Sequence, residues 1–451
     1  MTDRLRRFGG LVLAVLMAAP VVAARAGTAF DAESFTLDNG MTVVVVSNHR
    51  APVVHHAVWY RIGSADEPPG KSGIAHMLEH MMFKGTETIA PGEYSKIIAR
   101  NGGNDNAFTG QDYTGYFQNI ASDRLELVME LEADRMVNLR FAEADFATER
   151  DVVLEERRSR TDNDPSAQFA EQINAVQFLA HPYRLPIIGW EHEIKQLSHD
   201  DALAFYRQHY GPNNAVLLVV GDVTAARVRA LAENTYGRVA ALEIPPRERV
   251  QEPPQRAARR VEMQDPRVAN PQWMRQYLAP SYRAGDSQHV LPLEVLTQIL
   301  GGGSTSRLYQ TLVVDQKLAT YAGSNYDGLS YDLTTFNVYV MPRPGVAMTA
   351  IESAVAAELA RLLKDGVGAE ELARAKFNLK AQAVFARDSL YGVARIFGSA
   401  LTSGMTVADV EAWPERVEAV TADQVLAAAQ AVMRNEASVT GVLSAGDTPP
   451  S

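Results

Sequence analysis

The sequence predicts two related α+β domains, each a mainly antiparallel sheet covered on one side by helices. Three observations carry this expectation. Both halves, each of about 200 residues, run through strand-like, helix-like, strand-like and helix-like segments in the same order, as a diverged duplication would. The stretch "ALEIPPRERVQEPPQRAARR", residues 241–260, lies between them, rich in proline and charge and without periodicity, and reads as a linker. The apolar fraction of 46% is enough for two sizeable cores. The expected organisation is a leader at 1–26, a first domain at 27–240, a linker at 241–260 and a related domain at 261–451.

The first residues, "MTDRLRRFGGLVLAVLMAAPVVAARAGTAF", combine a basic start, a short apolar run broken by Pro20, and the small-x-small site Ala24-Arg25-Ala26. They read as a secretory signal cleaved near Ala26. A membrane anchor is the alternative, but the run is short for a bilayer span. Export points to a periplasmic location, with no membrane attachment after cleavage. The formal charge is −11; removing 1–26 takes four arginines and one aspartate and leaves about −14. Nucleic acid is therefore excluded as a partner, because phosphate binding needs basic surface. Cysteine is absent, which excludes disulfides and thiolate metal sites.

The strands come first. "SFTLDNGMTVVVVSNHRAPVVHHAVWYRIGS" places β-branched runs around the Asn39-Gly40 turn. Helical spacing follows at 73–83 and 91–100, then two strands, "NDNAFTGQ" and "YTGYFQNI". Leu125, Val128, Leu131 and Met136 recur at close to helical spacing, and a charged helix runs from about 142 to 160. "NAVLLVVGDV" reads as a buried strand. After the linker, strands near 260–262 and 272–278, a helix at 289–300, a glycine break at 301–303 and two strands lead into a mostly helical remainder.

The chemistry-bearing stretch is "GIAHMLEHMMFKG", residues 73–85. Residues four apart share a helix face, so His76 and His80 offer two imidazoles to one metal ion. Zinc suits such ligands, and Glu79, beside that face, could accept a proton from water. The order H-x-x-E-H is one of the metallopeptidase patterns. A third ligand is sought in "FATERDVVLEERRSR", where Glu149 and Glu156 lie seven apart, two helical turns, on one face. Val152, Val153 and Leu154 show that part of this helix is buried, and buried carboxylates need a partner.

"HMLEHMMFKG" followed by "ERDVVLEE", with Glu156 seventy-six positions after His80, resembles the pitrilysin family of zinc peptidases, which includes mitochondrial processing peptidase and insulin-degrading enzyme. "LDNGMTVVVV", "GGNDNAFTGQDYTGYF", "HPYRLPIIG", "YGPNNAVLLVVGDV" and "GGGSTSRLYQ" extend the resemblance over nearly the whole chain after the leader. The resemblance implies that His76, His80 and Glu156 bind Zn2+, that Glu79 is the general base, and that Glu149 orients a ligand histidine. It implies that Asn106, Ala107 and Phe108 lie on an edge strand to which a peptide substrate adds. The expected activity is zinc endopeptidase action on short peptides or unfolded segments. The rival is a non-catalytic scaffold of the same fold.

One part of the pattern is missing. The family uses an Arg and a Tyr seven residues apart in the second half, against the substrate and the oxyanion. Aligned on Leu312 and Leu318, those positions hold Val313 and Thr320, and Tyr321 is one residue off. Family members form a clamshell of two halves, each about the size of this chain. The expectation is therefore half a clamshell, completed by a related subunit that supplies the Arg and Tyr. A homodimer is the alternative and would lack that pair.

Overall fold

The computed structural model describes residues 29–446; the expected leader at 1–26 lies outside the described residues. The first sheet is built from β1 (Glu33–Thr36), β2 (Thr42–Ser47), β3 (Val53–Tyr60), β4 (Asn104–Thr109), β5 (Thr114–Ala121) and β6 (Ala215–Gly221). Its order is β1-β2-β6-β3-β5-β4. The second contains β7 (Arg259–Gln264), β8 (Gln272–Ala279), β9 (Ala319–Tyr326), β10 (Thr334–Pro342) and β11 (Ser438–Ser444), in the order β7-β11-β8-β10-β9. In each sheet the last strand of the half inserts beside the first long one in parallel, β6 on β2 and β11 on β7; every other pairing is antiparallel. Except for β1, the two sheets share one topology.

Two features differ from the sequence reading. The remainder after β10 is mostly helical, but it ends in β11, an interior strand. "SVTGVLS" is short, carries a glycine and follows helices, so its local pattern is weak. The second difference is how the sheets are covered. The sequence reading expects helices on one side of each sheet; here a helix from the other half also covers part of the second face of each sheet, while Tyr321 and Met341 of the second sheet stay exposed. On the first sheet, Val43, Val45, Val58 and Leu217 face a core shared with helices Ile74–Met81 and Leu125–Asn138. The alternate residues Val44, Trp59, Val216 and Leu218 face the opposite way, as strand alternation dictates. They pack on Val393, Ala394, Phe397 and Leu401 of helix Leu390–Thr402, which belongs to the second half.

The exchange is reciprocal. One face of the second sheet, with Trp273, Phe336 and Val338, packs on that half's own helices. On the other face, Val439 and Leu443 pack against Phe169 and Ile173 of helix Pro165–Gln177, from the first half. Each crossing depends on a close backbone approach. A Cβ on Gly398 would lie 2.3 Å from the Trp59 ring, and one on Gly441 would lie 2.3 Å from Ile173 Cδ1.

Residues 241–258 carry no helix or strand, yet they are tied down. Arg249 reaches Asp66 at 2.8 Å and Asp112 at 2.5 Å in the first half, and Asp332 at 3.0 Å in the second. Arg247 adds a second contact to Asp66 at 2.5 Å. Glu252 accepts from the backbone N–H groups of Leu179, Ala180 and His181. Among the described residues no helix is long and apolar enough to cross a membrane.

Candidate active site

Helix Ile74–Met81 buries Ile74, Ala75, Met77, Leu78 and Met81 against the first sheet's core, which fixes the rotation of the remaining face. Its start is held by Glu67, whose carboxylate accepts from the N–H groups of Gly73 and Ala75, both at 2.9 Å. An acidic group there satisfies helix N–H donors that would otherwise be buried unpaired. With the helix so placed, His76 and His80 project side by side, ring centroids 4.8 Å apart.

The long helix Glu143–Arg157 buries Phe146 and Val153, and this phase turns Glu149 and Glu156 toward the two histidines. Glu156 Oε2 lies 3.2 Å from His80 Nε2 and 3.8 Å from His76 Nε2. The three groups offer one ligand atom each within 4.8 Å of one another. Glu149 Oε1 bonds His80 Nδ1 at 2.9 Å, and its other oxygen pairs with Lys84. Arg160 pairs with Glu156 Oε1, the oxygen turned away from the histidines, from the wide π-type turn Arg158–Asp162 that continues the helix.

Glu79 sits beside this cluster, and its Oε2 accepts from Thr109 Oγ1 at 2.5 Å. Thr109 ends β4, the outermost strand of the first sheet. Asn106, Ala107 and Phe108 of β4 line the same cavity as the histidines and Glu79, a space of about 720 Å³. β4 is hydrogen-bonded to β5 on one side only, so its other edge faces the cavity with main-chain groups available for pairing.

The local electrostatics differ from one histidine to the other. Burial, reinforced by neighbouring His80, lowers His76 to about 4. Burial also acts to lower His80, but its bonds to Glu149 and Glu156 outweigh it and raise it to about 9. The same contacts hold both carboxylates below the usual range, the His80 hydrogen bond first among them. Glu79 is pushed up, by burial above all.

The donor set fits a zinc ion. Two imidazole nitrogens and one carboxylate oxygen converge from two helices that are each anchored in the core. Four-coordinate zinc at about 2.0–2.1 Å from each ligand sets ligand atoms roughly 3.3–3.4 Å apart; Glu156 Oε2 lies 3.2 and 3.8 Å from the two histidine nitrogens, and all three atoms lie within 4.8 Å of one another. Donation of Nδ1–H to Glu149 leaves the Nε2 lone pair of neutral His80 turned to the cluster.

The structure thus brings His76, Glu79, His80, Glu149, Glu156 and residues 106–108 into one cavity. Three further participants, Lys84, Thr109 and Arg160, were not found from sequence. Lys84 lies three residues past the end of the helix, so helical spacing does not place it. Thr109 and Arg160 gave no signal. In the second half, Val313 packs against the core and Thr320 Oγ1 donates to the Met341 carbonyl at 3.2 Å. Tyr321 stacks on Tyr339 with centroids 5.8 Å apart. None of the three is among the residues lining the His76 cavity.

Comparison with known proteins gives a consistent result. Residues 42–190 match the family model described as insulinase, peptidase family M16, and residues 196–379 match that described as the peptidase M16 inactive domain. The zinc protease PqqE of Helicobacter pylori is 35% identical over 373 residues, covering 82% of this chain and 83% of that protein. The crystal structure of a protease from Helicobacter pylori superposes with a TM-score of 0.85 at 32% identity, covering 92% of this chain and 99% of that one. The periplasmic protease PqqL from Escherichia coli shares the fold, with a TM-score of 0.79 at 19% identity; the match covers 92% of this chain and 48% of that one.

Proposed function

This chain belongs to the insulinase family of M16 peptidases, and on that premise we propose that it is a zinc endopeptidase hydrolysing short peptides or unfolded segments. The observation that carries the reading is the convergence of His76 Nε2, His80 Nε2 and Glu156 Oε2 beside Glu79 and an open strand edge. His76, His80 and Glu156 would hold the ion. When bound, zinc supplies Lewis acidity that makes water acidic near pH ~7 and polarises the scissile carbonyl.

The chain's own residues do the rest. A peptide pairs with the free edge of β4, so main-chain hydrogen bonds align it with little demand on its sequence. Glu79 accepts the proton of the attacking water and delivers it to the leaving amine. Thr109 donates to Glu79 Oε2, which keeps the carboxyl oriented and leaves its other oxygen to exchange the proton. Burial raises the Glu79 pKa, which strengthens it as the base that takes the proton from water. Glu149 holds the His80 ring, and Lys84 holds Glu149.

Val313 and Thr320 leave the cavity without a second-half donor to the oxyanion. Loss of one such donor lowers rate by about 10²–10³-fold. We therefore propose a heterodimer, in which a related subunit supplies an Arg and a Tyr across a closed chamber. The E. coli chain, about twice this length by its coverage, supports pairing of two such units. The leader at 1–26 supports export to the periplasm. The rival, a non-catalytic scaffold, draws on the inactive-domain match at 196–379 and on Val313 and Thr320.

The decisive experiment is Glu79→Gln measured for both metal content and hydrolysis. The expected outcome is retained zinc and at least ~10²-fold slower turnover. Near-normal turnover by the variant overturns the assignment of Glu79, and wild-type protein purified without chelator yet free of zinc favours the scaffold. Peptide hydrolysis by the chain alone and with a candidate partner tests the heterodimer; full activity alone rules it out.

A further inference from the structure

The second half holds a cavity of about 420 Å³ away from the histidine site, a size ordinary for a small-molecule pocket. It opens between helices Val290–Gly301, Ala369–Ala386 and Leu390–Thr402, with Phe30 at one wall. Most of its lining is hydrocarbon, including Leu379, Ala383 and Ile396, and three aromatic rings, Tyr282, Tyr326 and Trp413, border it. Its charged groups are of one sign. Glu294 lies inside it and Asp327 is exposed on its wall; the lining contains no Lys, Arg or His.

Glu294 has only neutral partners. Tyr282 Oη–H donates to Oε1 at 2.9 Å and Trp413 Nε1–H to Oε2 at 2.8 Å. Among the described residues no basic side chain forms an ion pair with it; Arg416 stands over the outer side of the Tyr282 ring, 5.7 Å from its centroid. Two bonds leave further lone pairs on the carboxylate free to accept. Gln298, one turn further along the helix, lines the same cavity with its stem, while its buried Oε1 turns toward the backbone of Gly302. Burial raises Glu294 to about 7, outweighing its two hydrogen bonds and the more distant Arg416.

An anion is repelled by this lining, and a neutral hydrocarbon leaves the acceptors unused. A cation attached to an apolar body satisfies both, and aromatic rings add attraction for it. We propose that this cavity binds an apolar molecule bearing a primary ammonium group, held by the Glu294 carboxylate, with its hydrocarbon along Leu379, Ala383 and Ile396. The proposal is independent of the peptidase reading. Such an ammonium belongs to a small amphiphilic amine or to the amino end of an apolar peptide.

The test is calorimetric titration of the whole chain at about pH 7.5, where hexylamine is fully charged and the dipeptide α-amino group and the carboxylate are each charged in the larger part. The probes are hexylamine and leucyl-leucinamide, with hexanol and hexanoate as neutral and anionic controls. One site per chain is expected, preferring an ammonium probe over hexanol by about tenfold, the worth of one charge-assisted hydrogen bond. Binding of hexylamine alone assigns the small amine, binding of the dipeptide amide alone assigns the peptide end, and binding of both assigns the shared group. Glu294→Gln should remove the preference, and Ala383→Leu, which fills the cavity, should remove binding. The idea is overturned if neither ammonium binds, if hexanol or hexanoate binds as well, or if both variants bind like the wild type.

Discussion

Replacing Gly398 by alanine should weaken the joint between the two halves and reach the substrate edge. Gly398 stands within helix Leu390–Thr402, where glycine is less favourable than alanine by about 1 kcal/mol. On propensity alone the substitution would stabilise. The built Cβ, however, falls 2.3 Å from Trp59 Cε2 and 2.4 Å from Cδ2, against about 3.5–4.0 Å for an unstrained carbon contact. The ring must move by more than about 1 Å. It is 2% exposed and wedged against Phe108 and Tyr113, centroids at 4.7 and 4.8 Å, so there is nowhere to move without shifting β4. Overpacking of a tight core costs about 1–3 kcal/mol, and this case belongs at the upper end. After the propensity gain, the net loss is about 1–2 kcal/mol. Gly392, in the first turn of the same helix, is the control. Its added Cβ would meet nothing closer than 3.2 Å, so Gly392→Ala should stay within about 0.5 kcal/mol of wild type. Urea unfolding reads the stability. The KM for a peptide reads the displacement of Phe108 and should rise while zinc content stays the same. A Gly398→Ala protein as stable as Gly392→Ala would refute the packing argument.

Further outcomes can be checked separately. Arg249→Ala leaves Asp66, Asp112 and Asp332 facing one another in a buried site, with Arg247 and His181 as their remaining ion-pair partners among the described residues, and should lower stability by about 3–5 kcal/mol, read in the same urea experiment. Glu149→Gln releases the His80 ring and should weaken zinc binding by about 10–100-fold in a chelator competition, with little change in circular dichroism. Glu294 has its folded pKa raised to about 7 from an ordinary 4.5, so the stability it supports is complete below pH 4.5 and is lost as pH climbs through about 7. Glu294→Gln should flatten the wild-type decline across that window; identical pH–stability curves would show that the carboxyl is not desolvated as described.

Much of the candidate site could be read from the chain because it rests on two helices and on helical periodicity. His76 and His80 at i and i+4, and Glu149 and Glu156 at i and i+7, each define a face without knowledge of anything else. That the two faces meet was not a property of either helix, and it entered through family resemblance. Lys84, Thr109 and Arg160 show the limit. Thr109 touches Glu79 only because β4 passes the end of a helix thirty residues earlier in the chain. The fold follows the same division. Strand alternation in β2 and β3 marks two buried faces, but nothing local says that the cover for one comes from residues 390–402. β11 was missed because seven residues including a glycine hold too little pattern to outweigh the helices before them.

The crossed helices also decide what can be inherited or engineered as a unit. A cut within 241–258 would separate two sheets of matching topology, and by sequence it is the natural place to divide the protein. Each product would lose its cover. The first would present Val44, Trp59, Val216 and Leu218 to water, and the second Val439 and Leu443. Bare sheet faces of this kind associate with whatever apolar surface they meet. The two halves therefore form one packing unit, and trimming either away strips the cover from a sheet face of the other.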